Sequence, residues 1–173
     1  MGATNGDIYN RPIAYNEFLK FSRQSALVNW QASWDKGELG RWLNSIIPKV
    51  PTKPWFRGLD VGRDFIRMMS RIMSNHYGLD AHLLRIGLAS SNHCVCGLGY
   101  QDIEHVVWVC AEFRGARSLL LDTLRARGIQ PYVPALDILA QRNLPYMLLV
   151  YSYLKSIKVP IKQRNDTRIK KAC

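Results

Sequence analysis

The sequence predicts a mainly α-helical protein: a small helical domain with one Cys/His-rich loop set between helices, followed by a basic C-terminal tail. Three observations carry this expectation. Apolar residues recur at three- and four-residue intervals, as one face of a helix requires, and no stretch alternates apolar with polar in the manner of a half-buried strand. Glycines and prolines gather between these stretches and punctuate them. Three of the four cysteines fall within one short window, Cys94 to Cys110. With 173 residues, 47% of them hydrophobic, and five tryptophans, the chain can enclose a core of its own.

Residues 1–14 are polar and read as a disordered N-terminus. From Tyr15, the spacing of Phe18, Phe21, Ala26, Leu27, Trp30 and Trp34 predicts a helix to Asp35, stopped by Gly37. Trp30 and Trp34, one turn apart, are expected to pack together as core anchors. Residues 37–54 read as a connector: Pro48, Pro51 and Pro54 exclude a continuous helix, while Trp42, Leu43, Ile46 and Ile47 tack it to the core. Phe65, Met68, Met69, Ile72 and Met73 make a second apolar stripe over 61–75. Asp80 is expected to cap a short helix carrying Leu83, Leu84 and Ile86, closed by Gly87. These elements form a helical region over 15–92.

The loop and the helix after it occupy 93–128. Phe113, Leu119, Leu120, Leu121 and Leu124 predict a helix that starts near Glu104 or Ala111 and ends at Ala126, before Gly128. Pro131 and Pro134 break the chain, and helices over 135–140 and 144–158 complete a C-terminal region, 129–158. A basic tail, 159–173, follows. The apolar run Tyr146 to Leu154 is far shorter than the ~20 residues a membrane span needs, so no membrane partner is expected.

The loop reads Cys94-x-Cys96, eight residues, His105, four residues, Cys110. Three thiols and one imidazole are the donor set of a closed, four-coordinate structural zinc site, and the spacing is that of a CCHC zinc-knuckle loop. One structural Zn²⁺ is therefore the expected cofactor. Two plainer readings compete. Cysteine is among the most buried residue types, and Cys110 follows the apolar run Val106 to Val109, so it could be simple core. A disulfide is the other; Cys94 and Cys96 are too close to pair with each other, and residues 1–10 lack the apolar segment of a secretory signal. A reduced, intracellular compartment is expected, in a cytoplasmic ribonucleoprotein or the nucleus. His93, beside Cys94, is an alternative nitrogen ligand; the spacing of His105 to Cys110 favours His105.

Net charge is +11. Residues 151–173 carry seven basic and one acidic group, more than half of the excess. Such a balance favours a polyanionic partner, with solubility as the plainer explanation. Arg63, Arg67 and Arg71 repeat every four residues and form a row on one helix face. With Lys155, Lys158, Lys162, Arg164, Arg168, Lys170 and Lys171 they are the candidate phosphate contacts to RNA or DNA. Asp60 and Asp64 offer the Arg row local partners instead. Tyr100, in a Gly-rich loop, is a candidate base-stacking residue; Trp108 is expected in the core.

Acidic residues are few and scattered, without the converging carboxylates a magnesium-dependent polymerase or nuclease needs. No phosphate-binding Gly-Lys-Ser/Thr loop or dinucleotide fingerprint is present. A zinc deaminase requires His-x-Glu, whereas Glu104 directly precedes His105. A filled three-thiol, one-imidazole shell leaves no open position for catalysis. The chain is expected not to be an enzyme by itself.

Several motifs in series resemble one family. Trp30-Gln31-Ala32-Ser33-Trp34-Asp35, then Gly40-Arg41 and Ile47-Pro48, are similar to the segment after the ribonuclease H region in non-LTR (LINE, Jockey/I-type) retrotransposon polyproteins. His76-Tyr77-Gly78-Leu79 and Leu84-Arg85-Ile86-Gly87-Leu88 resemble that family's "GHG…YL.R.GL" stretch, with Asn75 where glycine is usual and Leu83-Leu84 in place of tyrosine-leucine. Cys94-x-Cys96-Gly97, Asp102-Ile103-Glu104-His105, Cys110 and Phe113-Arg114 resemble its zinc-binding ending, "C.CG…(T/D).EH…C..F...R". The likeness runs from about Ser25 to Arg117. It implies a zinc-binding region that accompanies a reverse transcriptase and endonuclease, gripping template RNA or target DNA in target-primed reverse transcription. It also implies Cys94, Cys96, His105 and Cys110 as ligands and the remainder of the polyprotein as a partner. No polymerase, endonuclease or ribonuclease H site carries over. A helical protein-interaction module with a purely structural metal, or a decayed element fragment, are the alternatives.

Overall fold

A computed structural model describes residues 14–158, apart from the side chain of residue 136. Within them the protein is mainly helical: α1 (Tyr15–Lys36), α2 (Arg41–Ile46), α3 (Arg63–Met73), α4 (Asp80–Arg85), a π-helical turn (His105–Val109), α5 (Arg114–Ala126), α6 (Ala135–Gln141) and α7 (Leu144–Ser156). The only extended pairing among the described residues is one antiparallel bridge, His93 to Tyr100. The segments 1–13 and 159–173, and with them most of the expected disordered terminus and the basic tail, lie outside the described residues.

The core forms around α7, which packs on α3, α5 and α6. Its apolar run does what the sequence requires of it, burying Tyr146, Met147, Val150, Tyr153 and Leu154. The Asn143 side chain accepts the Tyr146 N–H and Pro145 occupies the first turn, so the start of α7 is fixed by an ordinary cap. Helix α3 buries the predicted stripe, Phe65, Met68, Met69, Ile72 and Met73. The connector before it is tied down by Trp55, whose Nε1 donates to Ser70 Oγ at 3.0 Å and whose ring meets Phe65. No helix is long and apolar enough to cross a membrane.

Helix α1 corrects an expectation. It has the predicted bounds, but it buries no residue. Trp30 is 59% exposed and Phe21 71% exposed, so Trp30 is not a core anchor. The physical reason is visible in the spacing. At 100° per residue, Phe18, Ala26, Leu27, Val28 and Trp30 spread around the helix and leave no single stripe for the core. Only the C-terminal end of α1 is docked. Trp34 Nε1 donates to Ile47 O at 2.9 Å, Gln31 bridges Pro48 O and Val50 N, and Arg41 Nη2 donates to Trp34 O. Phe21→Ser should therefore leave the midpoint of chemical denaturation almost unchanged, within about 0.5 kcal/mol. A loss above that would mean that α1 folds back onto the core in solution.

A second correction concerns α4. Asp80 is its first helical residue, not its cap; the Asp80 N–H is met by Gln101 Oε1 and the Ala81 N–H by Gln101 O. Leu84 and Ile86 are exposed, and the buried residue is His82. His82 sits against the rings of His76 and Tyr77, with Arg85 Nη2 2.7 Å from its Nδ1. Burial first, then the Arg85 charge, holds the imidazole below its usual pKa, so it is buried neutral. Asn75 has φ +55° and its carbonyl accepts from Arg85. A left-handed backbone explains why asparagine replaces glycine here: it is among the few side chains that tolerate the conformation.

Candidate metal centre

The chain between α4 and α5 builds the site in two pieces. The first is a hairpin-like loop. Gln101 N donates to Asn92 O, and Cys94 N to Gly99 O, both at 2.8 Å; the turn inside closes with Gly97 N on Cys94 O at 3.0 Å. Gly97 (φ +75°) and Gly99 (φ +152°) both need a backbone that side chains rarely adopt, and a Cβ on Gly99 would also touch His105 Nδ1. This turn presents Cys94 and Cys96 to one point.

The second piece is the π-helical turn. Asp102 Oδ1 accepts the His105 N–H at 2.8 Å and starts it, and Cys110 N donates to His105 O at 2.7 Å and ends it. In an α-helix, residues five apart point about 140° from one another. The wider i→i+5 turn reduces that divergence, so that His105 and Cys110 reach the same point. Glu104 Oε1 meanwhile accepts the Ala135 N–H at the start of α6. Val106, Val107 and Trp108 fill the core beneath, with Trp108 against Tyr132 and Tyr146. Trp108 is a core residue, as expected.

The four ligand atoms, Cys94 Sγ, Cys96 Sγ, Cys110 Sγ and a His105 ring nitrogen, lie within 4.8 Å of one another. Cys94 Sγ and Cys110 Sγ are 3.6 Å apart, and Cys96 Sγ is 3.2 Å from His105 Nε2. A tetrahedral ion with metal–sulfur bonds of about 2.3 Å has S–S edges of about 3.8 Å, so the donors fit a metal both in kind and in spacing. Both plainer readings fail on the same numbers. The three thiols are free, and 3.6 Å far exceeds the ~2.05 Å of a disulfide. As simple core they would not bring a polar imidazole into their midst. Cys94, His105 and Cys110 are buried, Cys96 half-buried.

The backbone N–H of Leu98 draws the Cys96 thiol down to about 6, while burial pushes Cys110 up to about 11. A bound dication favours the thiolate at both. His93 stands apart from the cluster. It is exposed, its Nδ1 lies 3.3 Å from Ser91 Oγ, and its ring meets Tyr100 edge-on.

The candidate nucleic-acid residues are placed less decisively. Arg63 and Arg67 are exposed on α3, and Arg71 is half-buried and engaged with the protein. Arg67 pairs with Asp64, an exposed i,i+3 pair of little energetic weight. Lys155 and Lys158 are exposed at the end of α7, and Tyr100 is exposed beside the loop. Lys162, Arg164, Arg168, Lys170 and Lys171 lie outside the described residues.

Sequence reasoning did not assign a role to Arg117, which donates from α5 to Cys110 O at 2.7 Å. A signal was available: Arg117, Leu121 and Leu124 share one helix face by spacing, so a cation occupies a core position.

No family model matches the chain, and no solved structure matches it. A stretch of 104 residues, 60% of this chain, is 25% identical to the "Retrovirus-related Pol polyprotein from type-1 retrotransposable element R1" of Bradysia coprophila. The match spans only 10% of that polyprotein. A chain that brings three thiols and one imidazole together is thus similar, over more than half its length, to a small part of a retrotransposon Pol polyprotein.

Proposed function

We propose that this chain is a non-catalytic, zinc-holding and nucleic-acid-binding portion of a retrotransposon reverse transcriptase-like protein, one that grips template RNA or target DNA during target-primed reverse transcription. The observation that carries the reading is the convergence of Cys94, Cys96, His105 and Cys110 within 4.8 Å in a chain similar to a retrotransposon polyprotein. Zinc is preferred because three thiolates and an imidazole in a closed site suit a borderline-soft, redox-inert dication. The metal supplies rigidity: it ties the Cys94–Cys96 turn to the end of the π-helical turn, and so joins α4 to α5. Nucleic acid would be held through phosphates by Arg63, Arg67, Lys155, Lys158 and the basic tail, with Tyr100 available to an unstacked base.

The test is binding of zinc-loaded full chain to single-stranded RNA and DNA across a salt series. Affinity should fall steeply, with a log–log slope of about −0.7 per phosphate neutralised on single strands. Arg63→Ala with Arg67→Ala should weaken binding to all sequences alike and flatten the slope by about one. Absence of binding at low salt, or binding indifferent to salt, overturns the nucleic-acid reading. A second reading is favoured by α1: Phe18, Phe21 and Trp30 are exposed on a helix that buries nothing. On it, the chain is a helical protein-interaction module, the metal only holds helices together, and α1 packs on another part of a polyprotein.

A further inference from the structure

Arg117 occupies the core face of α5 and is only 7% exposed. Its Nη2 donates to Cys110 O at 2.7 Å and lies 3.4 Å from Val109 O. Its Nη1 is buried without a hydrogen-bond partner, and no carboxylate forms an ion pair with it among the described residues. Arginine stays charged in any protein environment. A buried cation without a counter-charge is strongly unfavourable, so a hydrophobic core alone gives no reason for one here. The neighbouring cluster does. Three thiolates around a dication leave one net negative charge, and Cys94, His105 and Cys110 bury it. Tyr153, whose hydroxyl donates to Val106 O, lies within electrostatic reach of both Arg117 and Cys110.

We infer that Arg117 is the charge partner of the metal-loaded cluster: its guanidinium offsets the net charge of the three-thiolate centre and holds the Cys110 carbonyl in place. Arg117 is thus a positioning residue for the centre, not a ligand. The inference rests on the metal reading above and adds the reason a cation is kept in the core. It also implies that the metal-free chain carries a buried, uncompensated positive charge, so that folding of this region and metal loading depend on each other.

The experiment is Zn²⁺ affinity by chelator competition on the full chain, with the Co²⁺ thiolate absorption as a second readout and far-UV circular dichroism as a check of fold. Arg117→Met should weaken Zn²⁺ by about tenfold or more, in the range of removed outer-shell partners. Arg117→Lys, which keeps the charge, should stay within a few-fold of the native chain. The deciding comparison is a Cys96→His background, where two thiolates around the dication leave no net charge. There Arg117→Met should cost little affinity. An equal loss in both backgrounds, or equal losses for Met and Lys, overturns the charge-partner role and leaves Arg117 as ordinary packing. If Arg117→Met does not fold, Arg117→Lys decides alone: near-native affinity supports the inference, and a tenfold loss in folded protein overturns it. A native chain that takes up neither Zn²⁺ nor Co²⁺ refutes the metal reading itself, a result distinct from every failure of Arg117.

Discussion

Protein purified with zinc present should hold about one zinc per chain, and Cys110→Ser should lose it together with part of the helical signal. The size of the effect depends on how much structure relies on the loop. In isolated fingers, structural zinc supplies on the order of 10 kcal/mol of folding free energy at neutral pH. Here α3, α6 and α7 have a core of their own, so removal of the metal should not unfold the whole chain. The loss should concentrate between α4 and α5, where few groups other than the cluster hold the chain. Among the described residues the loop offers only the Asn92–Gln101 and Cys94–Gly99 hydrogen bonds and one bridge. Chelation should accordingly raise amide exchange over 92–113 well before it does so in α7. The two measurements are metal content and site-resolved hydrogen exchange. Folded protein that carries no zinc, and whose exchange ignores the chelator, would rule the metal out.

Leu124→Ala should destabilise the chain by about 2–5 kcal/mol, whereas Leu119→Ala on the same helix should change stability by no more than about 0.5 kcal/mol. Leu124 is fully buried and Leu119 is 71% exposed. A Leu→Ala change at the first removes transfer free energy and leaves a cavity between α5 and α7, elements that pack directly on one another. At the second it trims a side chain already in water. Denaturant midpoints of the two variants measure the difference. Comparable losses at both sites would mean that α5 is rotated from the orientation described, and would move Arg117 with it.

These two expectations also mark what the sequence could and could not convey. The ligand set was legible because its chemistry is specific: three thiols and an imidazole have few other reasons to cluster. Helices α3 and α7 were legible because their apolar residues fall on one side or in one run. Helix α1 was legible as a helix and not as a surface element, since helical bounds depend on local propensity while burial depends on a partner. The same limit applies at α4. Nothing in the pattern Leu83, Leu84, Ile86 reveals that His82 will be enclosed by His76, Tyr77 and Arg85, three residues brought to it by the fold. Arg117 shows the reverse case. A charge in an apolar register looks like a fault until the thiolate cluster beside it supplies a reason.

The π-helical turn at His105–Val109 makes the length of a motif a measure of rotation. Each residue added to or taken from Val106–Val109 turns the rest of the chain by about 100° about the helix axis. Deleting Val109, an exposed residue whose side chain fills no part of the core, would preserve every ligand and every core residue of the segment. It would still swing the Cys110 sulfur out of reach of the other three donors. Four intervening residues are thus a torsional setting, tolerant of what the residues are and intolerant of how many there are.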